Sequence, residues 1–172
     1  DFTRLTRLIG LEAGRSPAPL LRWAALFKGR LDGDGATDVA DQLRLSNKEK
    51  AVFLPLLGED FPGVASPLDH HCFRLVSRYG GPLVDDMALL SAAGAEDLPD
   101  HIASLQDEIR GLGHPELPVL GRDALALGLP PGPAMGRLLD RLRAWWISEG
   151  FTPGREECLE RLRQMVEDHS SG

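Results

Sequence analysis

Cysteine is scarce in this chain. Only Cys72 and Cys158 occur among 172 residues, in different regions and each on an apolar helical stripe. That excludes a disulfide-stapled scaffold and points to two buried, reduced thiols, as suits a cytoplasmic protein. Long hydrophobic runs are missing too: no apolar stretch reaches the roughly 20 residues of a membrane-crossing helix, and no signal-peptide pattern is read, so no membrane partner is expected. No segment alternates apolar and polar residues between hairpin turns, which argues against a β-sheet core. No Ser/His/Asp or Cys/His spacing suggests an activated nucleophile, so no catalytic residue is nominated. There is no internal repeat.

Positive charge is also in deficit, with 19 Lys and Arg against 26 Asp and Glu, a net charge of −7. The excess acid is local. Residues 1–57 hold nine basic and seven acidic side chains, residues 58–117 three and eleven, and residues 118–172 seven and eight. A polyanion would be repelled by the middle of the chain and would have to use the first and last thirds.

What is present is helical punctuation. Apolar period and caps predict an all-α chain with helices at Phe2 to Ala13, Pro17 to Phe27, Thr37 to Leu43, Asn47 to Leu57, Pro67 to Tyr79, Pro82 to Ala93, Pro99 to Leu112, Arg122 to Leu127, Gly132 to Glu149 and Pro153 to Asp168. Ser46 with Glu49 reads as a capping box. Thr152 before Pro153 reads as another helix start. The stripes Met135, Leu138, Leu139, Leu142, Trp145, Trp146 and Cys158, Leu159, Leu162, Met165, Val166 mark the last two helices. Gly and Pro clusters at Gly58 to Pro62 and His114 to Pro118 divide the chain into segments 1–60, 61–116 and 117–172, and only the terminal HSSG reads as disordered.

The most informative stretch is ALGLPPGPAMGRLL, from Ala126 to Leu139. Pro130 and Pro131 stop what precedes them, and Gly132 and Pro133 open a helix at a position where a missing N–H costs little. Gly132, Ala134 and Gly136 leave the first turn uncovered, so its free N–H groups can meet an anion. Arg137 and Arg141 follow on one face. Amide dipoles followed by guanidinium groups suit a phosphate, and a nucleic-acid backbone is a ready source. The competing reading is a tight turn in which the glycines serve close helix packing. Arg137 and Arg141 also fit a solvated face with Asp140 pairing locally.

Other clusters are weaker. Asp69, His70, His71 and Cys72 look like metal ligands, but helical neighbours point about 100° apart and do not converge. The Asp-His-His string resembles a phosphoesterase signature whose further motifs are missing. Asp32, Asp34 and Asp38 resemble a calcium loop, yet Ala36 and Leu43 stand where ligands are required, so no metal site is assigned. Asp85 and Asp86 read as helix-start charges favoured by the dipole. Trp145 and Trp146 read as core or interface residues.

The segment from Leu117 to Arg163 resembles the C-terminal end of bacterial CCA-adding tRNA nucleotidyltransferases. The shared block is carried by Gly121, Asp123, Leu125, Leu127, Gly128, Pro131, Gly132, Pro133, Met135, Gly136, Leu138 and Leu139. Upstream, LLRWAALF (Leu20 to Phe27) and VADQLRLSNKEK (Val39 to Lys50) are similar to two further helices of that family, in family order, and the Trp145–Trp146 pair resembles its alphaproteobacterial branch. The resemblance implies an elongated multi-helix array, a body (1–60), an acidic segment (61–116) and a tail (117–172), without a catalytic β-sheet head. The head that binds Mg2+, and the neck that selects CTP and ATP, are expected to lie outside this sequence: Asp32 and Asp34, the one close Asp pair with single spacing, follow neither a Gly-Ser turn nor an apolar strand. On this resemblance the chain holds tRNA and positions its 3′ end, with Arg122, Gly132, Gly136, Arg137, Arg141, Lys28 and Arg30 as candidate RNA contacts. Lys28 and Arg30 also suit the end of a helix with no ligand, and Arg44 and Lys48 read as ordinary surface charge. Two rivals stay open: the helical C-terminal region of a bacterial poly(A) polymerase, whose ends are more basic, and a helical protein-interaction module.

Overall fold

In a computed structural model, residues 2–61, 68–96 and 101–170 are described. They form ten helices and no strand: α1 (Phe2–Leu11), α2 (Pro19–Phe27), α3 (Gly33–Gln42), α4 (Asn47–Gly58), α5 (His70–Tyr79), α6 (Gly81–Gly94), α7 (Ile102–Leu112), α8 (Gly121–Ala126), α9 (Pro133–Ser148) and α10 (Arg155–Ser170). Each helix answers to a predicted one, and side-chain caps mark several of the observed starts. Ser46 and Glu49 form the expected capping box at α4. Asp32 accepts the Gly35 N–H at 2.8 Å and starts α3 four residues ahead of the predicted Thr37. Asp69 accepts the Cys72 N–H at 2.8 Å and starts α5. The two aspartates that gave a metal-like appearance to their neighbourhoods are therefore helix caps. The predicted starts at Pro67 and Pro99 lie outside the described residues, as do Ser171 and Gly172 of the terminal HSSG, whereas α10 runs through His169 and Ser170.

Two readings are corrected. Thr152 does not cap α10: its hydroxyl donates to the Glu149 carbonyl at 2.7 Å and closes the end of α9. At α10 the side chain of Glu157 instead accepts the Gly154 N–H at 2.8 Å. Asp85 and Asp86 are not helix-start charges, because α6 begins at Gly81 and has no acid in its first turn.

Side chains from residues 2–61, 68–96 and 101–112 share one apolar core, with Leu8, Leu21, Phe53, Leu56, Val76, Val84, Leu89 and Ile109 fully enclosed. Helix α6 is its hub, buried on nearly every side through Val84, Met87, Ala88, Leu89, Leu90, Ala92 and Ala93. The sharp corner from α5 into α6 lets the hub slide under the end of α7. Gly80 adopts φ 80°, and the Gly81 N–H donates to the Gly113 carbonyl at 2.5 Å. Residues 117–166 build a second core around Val119, Ala124, Leu138, Leu142, Trp146, Cys158 and Leu162. Each Val, Leu, Ile, Phe or Met side chain so removed from water contributes roughly 1.5–3 kcal/mol.

Phe151 joins the two cores. Its ring packs edge-on against Phe73 of α5 at 5.5 Å and against Trp146 of α9 at 5.0 Å. The turn that delivers it is strained. Gly150 (φ 62°) and Phe151 (φ 64°) are both left-handed, and the Phe151 N–H reaches back to the Trp146 carbonyl at 3.1 Å. A bulky residue tolerates that conformation only where its burial outweighs a cost of order 1 kcal/mol.

Candidate nucleic-acid interface

Helices α8 and α10 are tied at their starts. Asp123, in the first turn of α8, accepts the Leu120 N–H at 2.8 Å and receives two Arg155 contacts at 2.5 and 3.2 Å. Arg155 also donates to the Pro118 carbonyl at 2.6 Å. The Arg155 hydrogen bond, then the Leu120 amide, hold the Asp123 carboxyl below its ordinary range, and the same contact raises Arg155. At the far end of α9 the indole N–H of Trp146 donates to the Pro153 carbonyl at 3.0 Å.

Between these ties sits the Pro-Gly turn. Helix α8 ends at a left-handed Gly128 (φ 84°), with the Leu129 N–H on the Ala124 carbonyl at 3.2 Å and the Leu129 side chain buried. This Gly-terminated stop leaves Pro130, Pro131, Gly132 and Pro133 exposed. Gly132 takes φ 154°, a conformation that side-chain-bearing residues rarely adopt. Pro133 is the first helical residue, no side chain caps the helix, and the Gly136 N–H returns to the Gly132 carbonyl at 3.2 Å. The N–H groups of Ala134 and Met135 have no acceptor within the helix.

A Cβ built on either Gly132 or Gly136 meets nothing within 4 Å. Close helix packing therefore does not account for Gly136, whose missing side chain faces open space. Arg137 and Arg141 are exposed, and among the described residues neither makes an ion pair, Asp140 included. Arg122 is exposed on α8, beside the tied Asp123. The structure thus groups Gly132, Gly136, Arg137 and Arg141 at the start of α9, with Arg122 on the preceding helix.

Lys28 and Arg30 lie elsewhere, past the end of α2. The Lys28 ammonium donates to the Leu57 carbonyl at 3.0 Å and the Glu59 carbonyl at 2.6 Å, and faces Asp60 at 3.4 Å. It closes the end of α4. Arg30 is exposed after a left-handed Gly29. In the α3–α4 turn Arg44 and Lys48 are exposed, Arg44 in a left-handed conformation (φ 55°), while Lys50 pairs with Asp41.

Among the described residues no group of three His, Cys, Asp or Glu side chains is arranged to hold a metal. His70 and His71 are exposed, and Cys72 is buried, its thiol pushed up to about 12 by desolvation and by Asp69. A dense ionic cluster lies away from α9. Asp85, buried in the first core, faces Arg15 at 2.9 Å and Arg110 at 3.4 Å, and buried Glu12 accepts from Arg22 at 2.7 Å. Asp86 beside them is raised to about 6, by burial first and by Asp85 second. Spacing did not reveal this cluster, since it draws on the α1–α2 connection, α2, α6 and α7. Among the described residues no helix is long and apolar enough to cross a membrane.

Comparison with known proteins gives two similar sequences. The chain is 28% identical over 157 residues to CCA tRNA nucleotidyltransferase 1, mitochondrial, of Danio rerio, covering 87% of this chain and 34% of that protein. It is 26% identical over 170 residues to the Mus musculus protein of the same name, covering 95% of this chain and 36% of that protein. The chain spans about a third of the length of these relatives. No family model and no solved structure matches it. The similarity runs through nearly the whole chain and agrees with the motif resemblance of its last third.

Proposed function

We propose that this chain is the body and tail of a CCA-adding tRNA nucleotidyltransferase, that it grips the acceptor and T-arm side of tRNA, and that the start of α9 is a phosphate contact. The observation that carries this reading is the pairing of an uncapped N-terminus at Gly132–Pro133 with Arg137 and Arg141, both exposed and without ion pairs. An open helix start supplies two N–H donors and the positive end of the dipole, and the arginines supply charge one and two turns further on. Contacts of this kind read backbone and A-form shape rather than bases. Binding is thereby uncoupled from the identity of the tRNA, as an enzyme serving all tRNAs requires. Arg122 and Arg30 are secondary contacts on this reading. Lys28 contributes through the position it gives the end of α4.

The transfer step itself, with its Mg2+, CTP and ATP, is assigned to a head outside these 172 residues. Asp32, the first of the close Asp pair, is engaged in starting α3. The chain's role is to fix the distance between the gripped arm and a remote active site, in the cytoplasm. Adenylation of mRNA by the full enzyme, in place of CCA addition, would move the assignment to the poly(A) polymerase branch.

The test is binding of the chain to a tRNA lacking its CCA end, by fluorescence anisotropy across a salt series, with an equal-length DNA duplex as competitor. Arg137→Glu with Arg141→Glu is expected to weaken binding and to lower the salt slope by about two. An unchanged affinity would remove the start of α9 from the interface.

A further inference from the structure

Arg137, Arg141 and Trp145 follow one another at four-residue spacing, so they form a single row along α9 with about 6 Å of rise between neighbours. The row starts at the open helix end and finishes on an aromatic ring. Trp145 is half-buried, packed on the second core. From the adjacent helix Arg161 reaches over that ring, its guanidinium carbon 5.8 Å from the centroid. Arg161 is exposed, and its hydrogen bond goes to the neutral side chain of Gln164 at 3.3 Å rather than to a carboxylate. Glu157, one turn earlier on α10, is engaged by the Gly154 amide. The guanidinium thus lies within cation–π reach of the indole and stays exposed, in a groove that Glu156, Glu157 and Glu160 also line.

A guanidinium plane carried on an aromatic ring stacks readily on a further planar group, and nucleobases in single-stranded regions are bound in this way. Paired bases are inaccessible, because the duplex already stacks them. We infer that Arg161, seated on Trp145, is a stacking platform for one unpaired RNA base at the end of the phosphate track formed by Arg137 and Arg141. This rests on the RNA-binding reading above and adds to it a preference for RNA with an unpaired nucleotide beside a helical stem. Trp145 acts as the positioning residue.

The experiment compares two RNAs of equal length by anisotropy: a stem closed by an unpaired loop, and a fully paired duplex. Wild-type protein is expected to prefer the looped RNA. Arg161→Lys keeps the charge and loses the plane, so it should cost about tenfold on the looped RNA and leave the duplex within about twofold, with the salt slope unchanged. Trp145→Leu, which preserves the apolar cover, should do the same, and Trp145→Phe should retain the preference. Thermal unfolding of each variant at the wild-type midpoint separates these effects from misfolding. Equal losses on both RNAs, or none on the looped one, overturn the stacking platform. If Arg137→Glu with Arg141→Glu also leaves both affinities unchanged, or if wild-type protein binds neither RNA, the interface as a whole falls. Sensitivity to those charges with indifference to Arg161→Lys removes the platform alone.

Discussion

Arg155 and Asp123, 32 residues apart in sequence, close the first turn of α10 onto the first turn of α8 through two contacts at 2.5 and 3.2 Å. Asp123 also caps its own helix through the Leu120 amide. One carboxylate thus orders both the turn before α8 and the approach of α10, and α9 is held between them. Because its pKa is lowered in the folded chain, Asp123 contributes stability that is present above its ordinary value of 3.8 and is lost as pH falls through the folded value. Asp123→Asn and Arg155→Ala are expected to lower the thermal midpoint at pH 7 and to do so non-additively, with the difference shrinking as acid protonates Asp123. Additive losses, or losses that persist in acid, would show that the pair does not act as a unit.

Asp86 behaves in the opposite sense. Its folded value of about 6 lies above the ordinary 3.8, because burial and Asp85 disfavour the second charge. The folded state therefore binds the proton more tightly than the unfolded state. The stabilisation from protonated Asp86 is complete below about pH 4, declines as pH rises, and is gone above about pH 6. Asp86→Asn should raise stability at pH 7 by up to about 3 kcal/mol and flatten the pH dependence between 4 and 6. Denaturant titrations at pH 4, 5, 6 and 7 would read this directly.

Two glycines should respond in opposite ways to the same change. A Cβ on Gly81 would stand 2.5 Å from the Ile109 carbonyl and 3.0 Å from that of Gly113, both backbone atoms. Gly81→Ala must push α6 and α7 apart and should destabilise by about 2 kcal/mol or more. On Gly136 a Cβ meets nothing within 4 Å, so Gly136→Ala should leave the fold intact or stabilise it by up to about 1 kcal/mol through helix propensity. If Gly136 exists to let a phosphate approach, the same variant weakens tRNA binding while its thermal midpoint holds or rises.

Phe151 carries the coupling between the cores. Phe151→Ala removes the ring shared by Phe73 and Trp146 without relieving the left-handed backbone, and should cost about 2–4 kcal/mol. Unfolding followed by tryptophan fluorescence, dominated in the second core by Trp145 and Trp146, should then separate from unfolding followed by far-UV circular dichroism. Coincident curves in the variant would mean that other contacts between α5 and α9 suffice.

The candidate site was legible in the sequence to the extent that it is local. Pro130, Pro131, Gly132 and Pro133 lie within four consecutive positions, and the stop, the turn and the helix start follow from their backbone restrictions alone. The four-residue spacing of Arg137 and Arg141 places them on one face of any helix they occupy. Whether Gly136 packs against a neighbour or faces solvent was undecidable from spacing, because both outcomes use the same residue. Lys28 shows the limit from the other side. Its position at a helix end was readable, but its partners are the carbonyls of Leu57 and Glu59, some 30 residues on. The Arg161–Trp145 contact left no signal, since it joins two helices whose relative rotation no local pattern encodes.

By itself, then, the sequence determined the ten helices, the Ser46–Glu49 capping box and the open start of α9. Each of these depends on a few adjacent residues and on the 3.6-residue period. Tertiary structure decided which charges are free, which glycines are crowded, how Asp86 acquires its raised pKa and where the two cores meet. Those properties come from neighbours distant along the chain, brought within a few ångströms only when the apolar faces are buried together.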